Sequence, residues 1–168
     1  MIRSHLIRVK EYVALMKPPA LNCFFRQKIS EPRIYYNPRA RSWFFIKNKY
    51  EFRGVSLLHE PETTDFIAKQ KGSCFVDVGA YVGKYSLLAS NNFDNVVAFE
   101  PNRYAFKRLL VNIKLNRREN IHAHNIALSD REGTARFYIA GRSSSLIYES
   151  GKQTHVRVAT LDSFRLWE

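Results

Sequence analysis

The chain has 168 residues and a formal net charge of +12, with 45% apolar and 14% aromatic residues. This is enough chain and core material for one folded domain, and it excludes a disordered or low-complexity protein. Residues 1–72 hold 14 of the 27 Lys and Arg but only 6 of the 15 Asp and Glu, so the first segment either binds nucleic acid, anionic lipid or an acidic substrate, or is a solvated basic face.

In residues 1–17 the cations Arg3, Arg8 and Lys10 interrupt every apolar run. No signal-peptide core or transmembrane span is expected there. The segment is expected to pack on its own domain, with a membrane-surface helix as the alternative. Cys23 and Cys74 form neither a CxxC pair nor a Cys/His cluster, so no metal site is expected, and the cysteine usage fits a reducing cytoplasm. Cys74 lies in an apolar run and reads as a buried small hydrophobe. Pro18, Pro19, Pro32 and Pro38 make residues 18–40 an irregular connection. The aromatic and β-branched run from Trp43 to Phe52 is expected to form a hairpin turning near Asn48-Lys49. Pro61 to Lys71 reads as a short helix with Phe66 and Ile67 facing inward. Residues 1–71 are thus a basic N-terminal segment, and a second unit spans 72–168.

Cys74-Phe75-Val76-Asp77-Val78 is a short apolar run, as a strand buried on both faces requires. Val82 to Asn91 follows at helical spacing, with Val82, Tyr85, Leu88 and Ala89 on one face. Val96 to Phe99 is a second strand. Asn102 to Asn116 is a helix whose Phe106, Leu109, Leu110 and Ile113 fall at i, i+3, i+4 and i+7. Ile121 to Ile126 is a third strand, on which His122 and His124 are expected to face solvent. This βαβαβ order predicts an α/β fold with a parallel sheet. Ala135–Ala140 and His155–Leu161 are expected to add an antiparallel ribbon, joined by a Gly/Ser-rich stretch from Gly141 to Gly151.

The informative segment is Asp77-Val78-Gly79-Ala80-Tyr81-Val82-Gly83, where a strand becomes a helix. Ligands of open α/β sheets bind beside such turns, at the carboxyl ends of the strands. Gly79 would let a ligand approach bare backbone. Gly83 would allow close helix-to-strand packing, and Asp77 would attract a ligand's ammonium. Glu100 ends the next strand, 21 positions after Gly79, where an acid can accept hydrogen bonds from ribose hydroxyls. Counted from Gly79, the GxGxxG fingerprint fails at Tyr81 and Lys84. Tyr81 would fill the room that a pyrophosphate needs. S-adenosylmethionine has no pyrophosphate but does carry an ammonium, so it fits these residues better than a nicotinamide cofactor. The alternative is a plain tight connection with Glu100 as a surface acid.

FVDVGAYVGKYSLLA, VVAFEPNRYAFKRLLVNIKLN, NIHAHNIALSDREGTARFYIA and VRVATLDSF, in that order from about Gly72 to Phe164, resemble successive blocks of the FkbM-type methyltransferases. The resemblance implies a class I methyltransferase (Rossmann-like) fold with S-adenosylmethionine as methyl donor. It implies O-methylation of a sugar or small-molecule hydroxyl, and so a small-molecule or glycan acceptor. By position Asp77, Gly79 and Gly83, with Ala80 between them, match the first cofactor motif. Glu100 matches the ribose-binding acid, with Pro101 and Asn102 beside it. Asn125 to Ala127 match the region against the adenine, although Asn125 reads equally as a turn former at a strand end. No catalytic base is identifiable; His155 and the Ser143-Ser144-Ser145 run have no specific support.

The resemblance also implies a fourth core strand carrying D-x-E-G, and the sequence ends at Trp167-Glu168 before it. The fold is therefore read as truncated after the third core strand, as a piece of a longer protein or else a functional short form. The Cys74–Val78 strand would then be an exposed apolar edge, to be covered by a second copy or a partner chain. A cofactor-binding module without transfer activity, and a basic nucleic-acid-binding protein on the same fold, remain as alternatives.

Overall fold

The computed structural model describes residues 32–139, 146 and 152–164. The expectations for residues 1–17, for Ser143-Ser144-Ser145 and for the ends of the chain lie outside these. Strands β1 (Arg33–Asn37) and β2 (Ser42–Ile46) form an antiparallel hairpin. Helices α1 (Lys49–Val55) and α2 (Pro61–Lys69) follow. Strand β3 (Gly72–Val78), helix α3 (Lys84–Ala89), strand β4 (Phe93–Phe99), helix α4 (Arg103–Leu115) and strand β5 (Ile121–His124) form the centre. Strands β6 (Ala127–Leu128), β7 (Gly133–Ile139) and β8 (Lys152–Ala159) come last, before a 3-10 turn at Leu161–Phe164.

The centre is a three-stranded parallel sheet ordered β3-β4-β5, the expected α/β arrangement. Val78 pairs with Phe99 and Phe99 with His124, so the three carboxyl ends lie side by side. A second sheet, ordered β6-β8-β7, holds the expected antiparallel ribbon. Among the described residues no helix is long and apolar enough to cross a membrane.

The hairpin lies earlier than its composition suggested. It turns between Asn37 and Ser42, inside the stretch read as irregular, and Asn48 is not its turn. Asn48 instead caps α1, its side chain accepting from the amides of Tyr50 and Glu51 at 2.9 Å. Asparagine serves both roles, and composition cannot choose between them. In α2, Ile67 is buried as expected, but Phe66 is exposed, and Thr64 takes the inner position. In α4, Leu109 is buried while Leu110 is exposed; the inner face runs through Ala105, Leu109 and Asn112. Cys74 is half-buried rather than buried.

One apolar cluster joins the hairpin, α1 and α2 to the parallel sheet: Phe44, Ile46, Phe52 and Ile67 pack with Leu87, Val96, Ala98 and Leu109. Polar bonds reinforce it. Asn112 of α4 is fully buried; its side-chain oxygen accepts from the Phe45 amide and its nitrogen donates to the Val82 carbonyl. Asn116 binds both the amide and the carbonyl of Trp43, each at 2.7 Å. Two side-chain amides thus give β2 the partners a neighbouring strand would supply. Strand β3 has no such partner on its outer edge among the described residues, and Val78 is 63% exposed.

Candidate functional site

Where β3 ends, the chain turns left-handed at Gly79, Tyr81 and Gly83, with φ of 80°, 51° and 93°. The Gly79 and Ala80 amides both donate to the Phe99 carbonyl at 2.9 Å, which fastens this turn to the end of β4. A Cβ built at Gly79 would meet nothing within 4 Å. Among the described residues the space above it is open, as a ligand in contact with backbone requires. A Cβ at Gly83 would stand 2.6 Å from Leu109 Cδ1. Gly83 therefore permits close packing, but against helix α4, not against a strand.

Glu100 follows β4 and is 6% exposed. Its Oε2 accepts from the Tyr81 amide and its Oε1 from the Asn102 amide, each at 2.7 Å. Burial pushes its pKa up to about 7; the two amides oppose this, and the nearby Asp77 charge adds to it. Asp77 is 8% exposed and accepts a 2.5 Å hydrogen bond from the Ser86 hydroxyl of α3. Burial raises its pKa too, opposed by the Ser86 hydroxyl and amide. Asp77, Gly79 and Glu100 therefore sit together at the carboxyl ends of neighbouring strands. Asp77 is turned toward α3 rather than standing free at the strand end.

Asn102 caps α4, accepting from the Tyr104 amide at 3.0 Å and more weakly from that of Ala105. Asn125 donates to the Glu100 carbonyl at 2.7 Å and the Pro101 carbonyl at 3.0 Å. It clamps the turn after β4, a role closer to the turn-former reading. Ala127 is buried in β6, paired with Val158, and borders neither cleft described below.

Two clefts are bordered by the residues whose amides Glu100 accepts. One, of about 360 Å³, is bordered by Gly79, Ala80 and Tyr81 on one side and by His59, Glu60, Lys84 and Tyr85 on the other. Lys84 donates to the His59 carbonyl and lies 5.0 Å from the Tyr85 ring centre. Burial lowers its pKa to about 8, against the pull of Glu60 and with a push from Arg39. The Tyr85 hydroxyl donates to Glu60. The other cleft, of about 590 Å³, is bordered by Pro101, Asn102, Asn125, the outer side of α4 and strand β8. Through its two amide bonds Glu100 is tied to one wall of each.

Of the histidines, His122 is exposed as expected, but His124 is half-buried. Its ring stacks on Phe99 at 5.3 Å and meets Phe164 edge-on at 5.0 Å. Burial lowers its pKa, helped by His122. His155 borders the larger cleft. Among the described residues no group of three His, Cys, Asp or Glu side chains is placed to hold a metal ion. Sequence reasoning missed Ser86, the Tyr81 amide, and the His59, Glu60, Lys84 and Tyr85 group. Ser86 lay at a legible position, nine residues beyond Asp77 on the next helix; the Tyr81 amide, being backbone, left no residue-type signal.

No protein-family model matches the chain, and no curated protein matches it. Among the solved structures similar to part of it are the following three. TYW2 from P. horikoshii, in complex with MeSAdo, is 20% identical over 58% of this chain and 37% of its own, with a TM-score of 0.44. TYW2 from M. jannaschii, in complex with AdoMet, is 16% identical over 62% of this chain and 53% of its own, with a TM-score of 0.46. Methyltransferase FkbM from Methylobacillus flagellatus KT is 13% identical over 68% of this chain and 28% of its own, with a TM-score of 0.40. The chain thus spans between 28% and 53% of the length of these structures.

Proposed function

We propose that the chain is the cofactor-binding part of an S-adenosylmethionine-dependent methyltransferase. The observation that carries this reading is the placement of the Glu100 carboxylate beside the open backbone of Gly79, at the ends of adjacent parallel strands. Each Glu100 oxygen accepts one backbone amide and keeps a second lone pair, so both remain able to accept a ribose hydroxyl. Gly79, Ala80 and the paired acids Asp77 and Glu100 favour a cationic, amino-acid-bearing ligand end on one side. Pro101, Asn102 and Asn125 offer a wall for the adenine on the other. Gly83 acts indirectly, by letting the turn lie against α4, and Ala127 by pairing β6 with β8.

When bound, S-adenosylmethionine would supply an electrophilic methyl group for transfer to an acceptor hydroxyl oxygen, the hydroxyl proton being lost to solvent. The residues here hold the nucleoside and fix its direction, and positioning of this kind supplies much of the rate of such a transfer. The acceptor is a sugar or small-molecule hydroxyl. On this reading the free edge of β3 takes a further strand, from a second copy or a partner chain.

Titration calorimetry of the folded chain with S-adenosylmethionine and its demethylated product tests the proposal. Saturable binding is expected, and no heat at millimolar ligand overturns it. Glu100→Gln is expected to weaken binding by roughly 1.5–3 kcal/mol; an unchanged affinity places the ribose elsewhere. The raised pKa of Glu100 also gives a sign: affinity strengthens as pH rises through about 7, because the ionised form is the better acceptor and the better partner of a cation.

A further inference from the structure

The larger cleft contains more than a nucleoside wall. Its helical side presents Arg103 and Lys107, four residues apart and therefore on one face of α4. Its opposite side is β8, where Arg157 contributes a third cation. Among the described residues no Asp or Glu borders this cleft. All three cations are exposed, and among the described residues none forms an ion pair. Tyr104, between Arg103 and the rest of α4, leaves 76% of its surface exposed. The positive end of the α4 dipole points the same way.

The proposed cofactor does not explain this charge. A purine against Pro101 and Asn125 is neutral, and S-adenosylmethionine as a whole is a cation. Three cations beside a cationic ligand raise the potential against it unless a second, anionic ligand enters the same cleft. We propose that this cleft binds the phosphate groups of the methyl acceptor, with Arg103, Lys107 and Arg157 as the phosphate contacts and Tyr104 stacking on a ring beside them. This rests on the methyltransferase reading only for the word acceptor; phosphate binding stands on the cleft itself. Cations with an exposed aromatic suit a nucleotide, whether as a small molecule such as a nucleoside diphosphate or within a single-stranded RNA.

The test is binding of uridine diphosphate and of a short single-stranded oligoribonucleotide to the full chain, at low and at moderate salt. Saturable binding to at least one is expected, weakening as salt rises. Binding of the diphosphate without preference for the oligonucleotide assigns a small-molecule acceptor. Tighter oligonucleotide binding with a steeper salt dependence assigns an RNA. Lys107→Glu and Arg157→Glu, exposed changes on two separate elements, are each expected to weaken binding roughly tenfold and to lower the salt slope by about 1. Tyr104→Ala is expected to weaken the nucleotide several-fold and inorganic pyrophosphate hardly at all. No saturable binding of either probe, or binding unmoved by both charge reversals, overturns the proposal. S-adenosylmethionine affinity measured in the same variants separates the two claims. A chain that binds uridine diphosphate but never S-adenosylmethionine keeps the phosphate cleft and loses the methyltransferase reading. The opposite pattern loses the cleft alone.

Discussion

On one face of the parallel sheet, Phe75, Val96, Ala98 and Ile121 pack with α3, α4 and the hairpin in a single apolar cluster. At the outer edge, Cys74 and Val76 are half-buried and Val78 is exposed, with no described strand beyond them. The same kind of apolar run thus serves both a closed core and an open border. Hydrophobic sequence states what a strand can bury; the neighbours decide what it does bury.

Five measurements sharpen or break this contrast. Leu109→Ala, on the closed side, is expected to cost about 3 kcal/mol in urea denaturation, because the fully buried leucine leaves a cavity. A cost near zero would show that α4 does not seal the sheet. Next in size is a pH effect. Glu100 has a folded pKa of about 7 against its ordinary value of 4.5, so the native chain holds a proton that the unfolded chain has lost between those values. Its contribution is fully present below about 4.5 and is lost as pH rises through 7; Asp77, also raised, has the same sign. A fall of roughly 2–3 kcal/mol between pH 4.5 and 8 is expected, with Glu100→Gln flattening the profile. Gly83→Ala is expected to cost about 2 kcal/mol, from the left-handed backbone and the overlap with Leu109. In a Leu109→Ala background the overlap part should disappear, and a double-mutant cycle reads that coupling. Gly79→Ala, with open space around it, keeps only the backbone cost of about 1 kcal/mol while its S-adenosylmethionine affinity falls. The smallest effect belongs to the border: Val78→Thr is expected to change stability by less than about 0.5 kcal/mol. A larger loss would mean that the edge is covered in solution, and sedimentation would then report the second copy.

The strands and helices from Gly72 to His124 were legible because each strand is one apolar run and each helix shows its own period. The hairpin was misplaced because aromatic richness marks strands without marking where they turn, and Asn48 is as good a helix cap as a turn former. Phe66 and Leu110 were assigned inward because periodicity fixes a stripe only to within a neighbouring residue. At the site, Glu100 and Gly79 stood out through spacing and residue type. The exposed Tyr104, the Ser86 bond to Asp77 and the tie from Lys84 to the His59 carbonyl depend on which elements meet, and no local pattern encodes that. His124 was assigned to solvent because strand alternation takes no account of a distant Phe164.

The asparagine bonds between α4 and the hairpin constrain the order of events during synthesis. Trp43 and Asn116 are 73 positions apart, and Phe45 and Asn112 are 67 apart. The Trp43 and Phe45 amides therefore have no permanent acceptor until the ribosome has made the last turn of α4. Until then the hairpin is a two-stranded ribbon of marginal stability in water. In hydrogen exchange these two amides should open together with α4, as one cooperative unit drawn from distant parts of the chain.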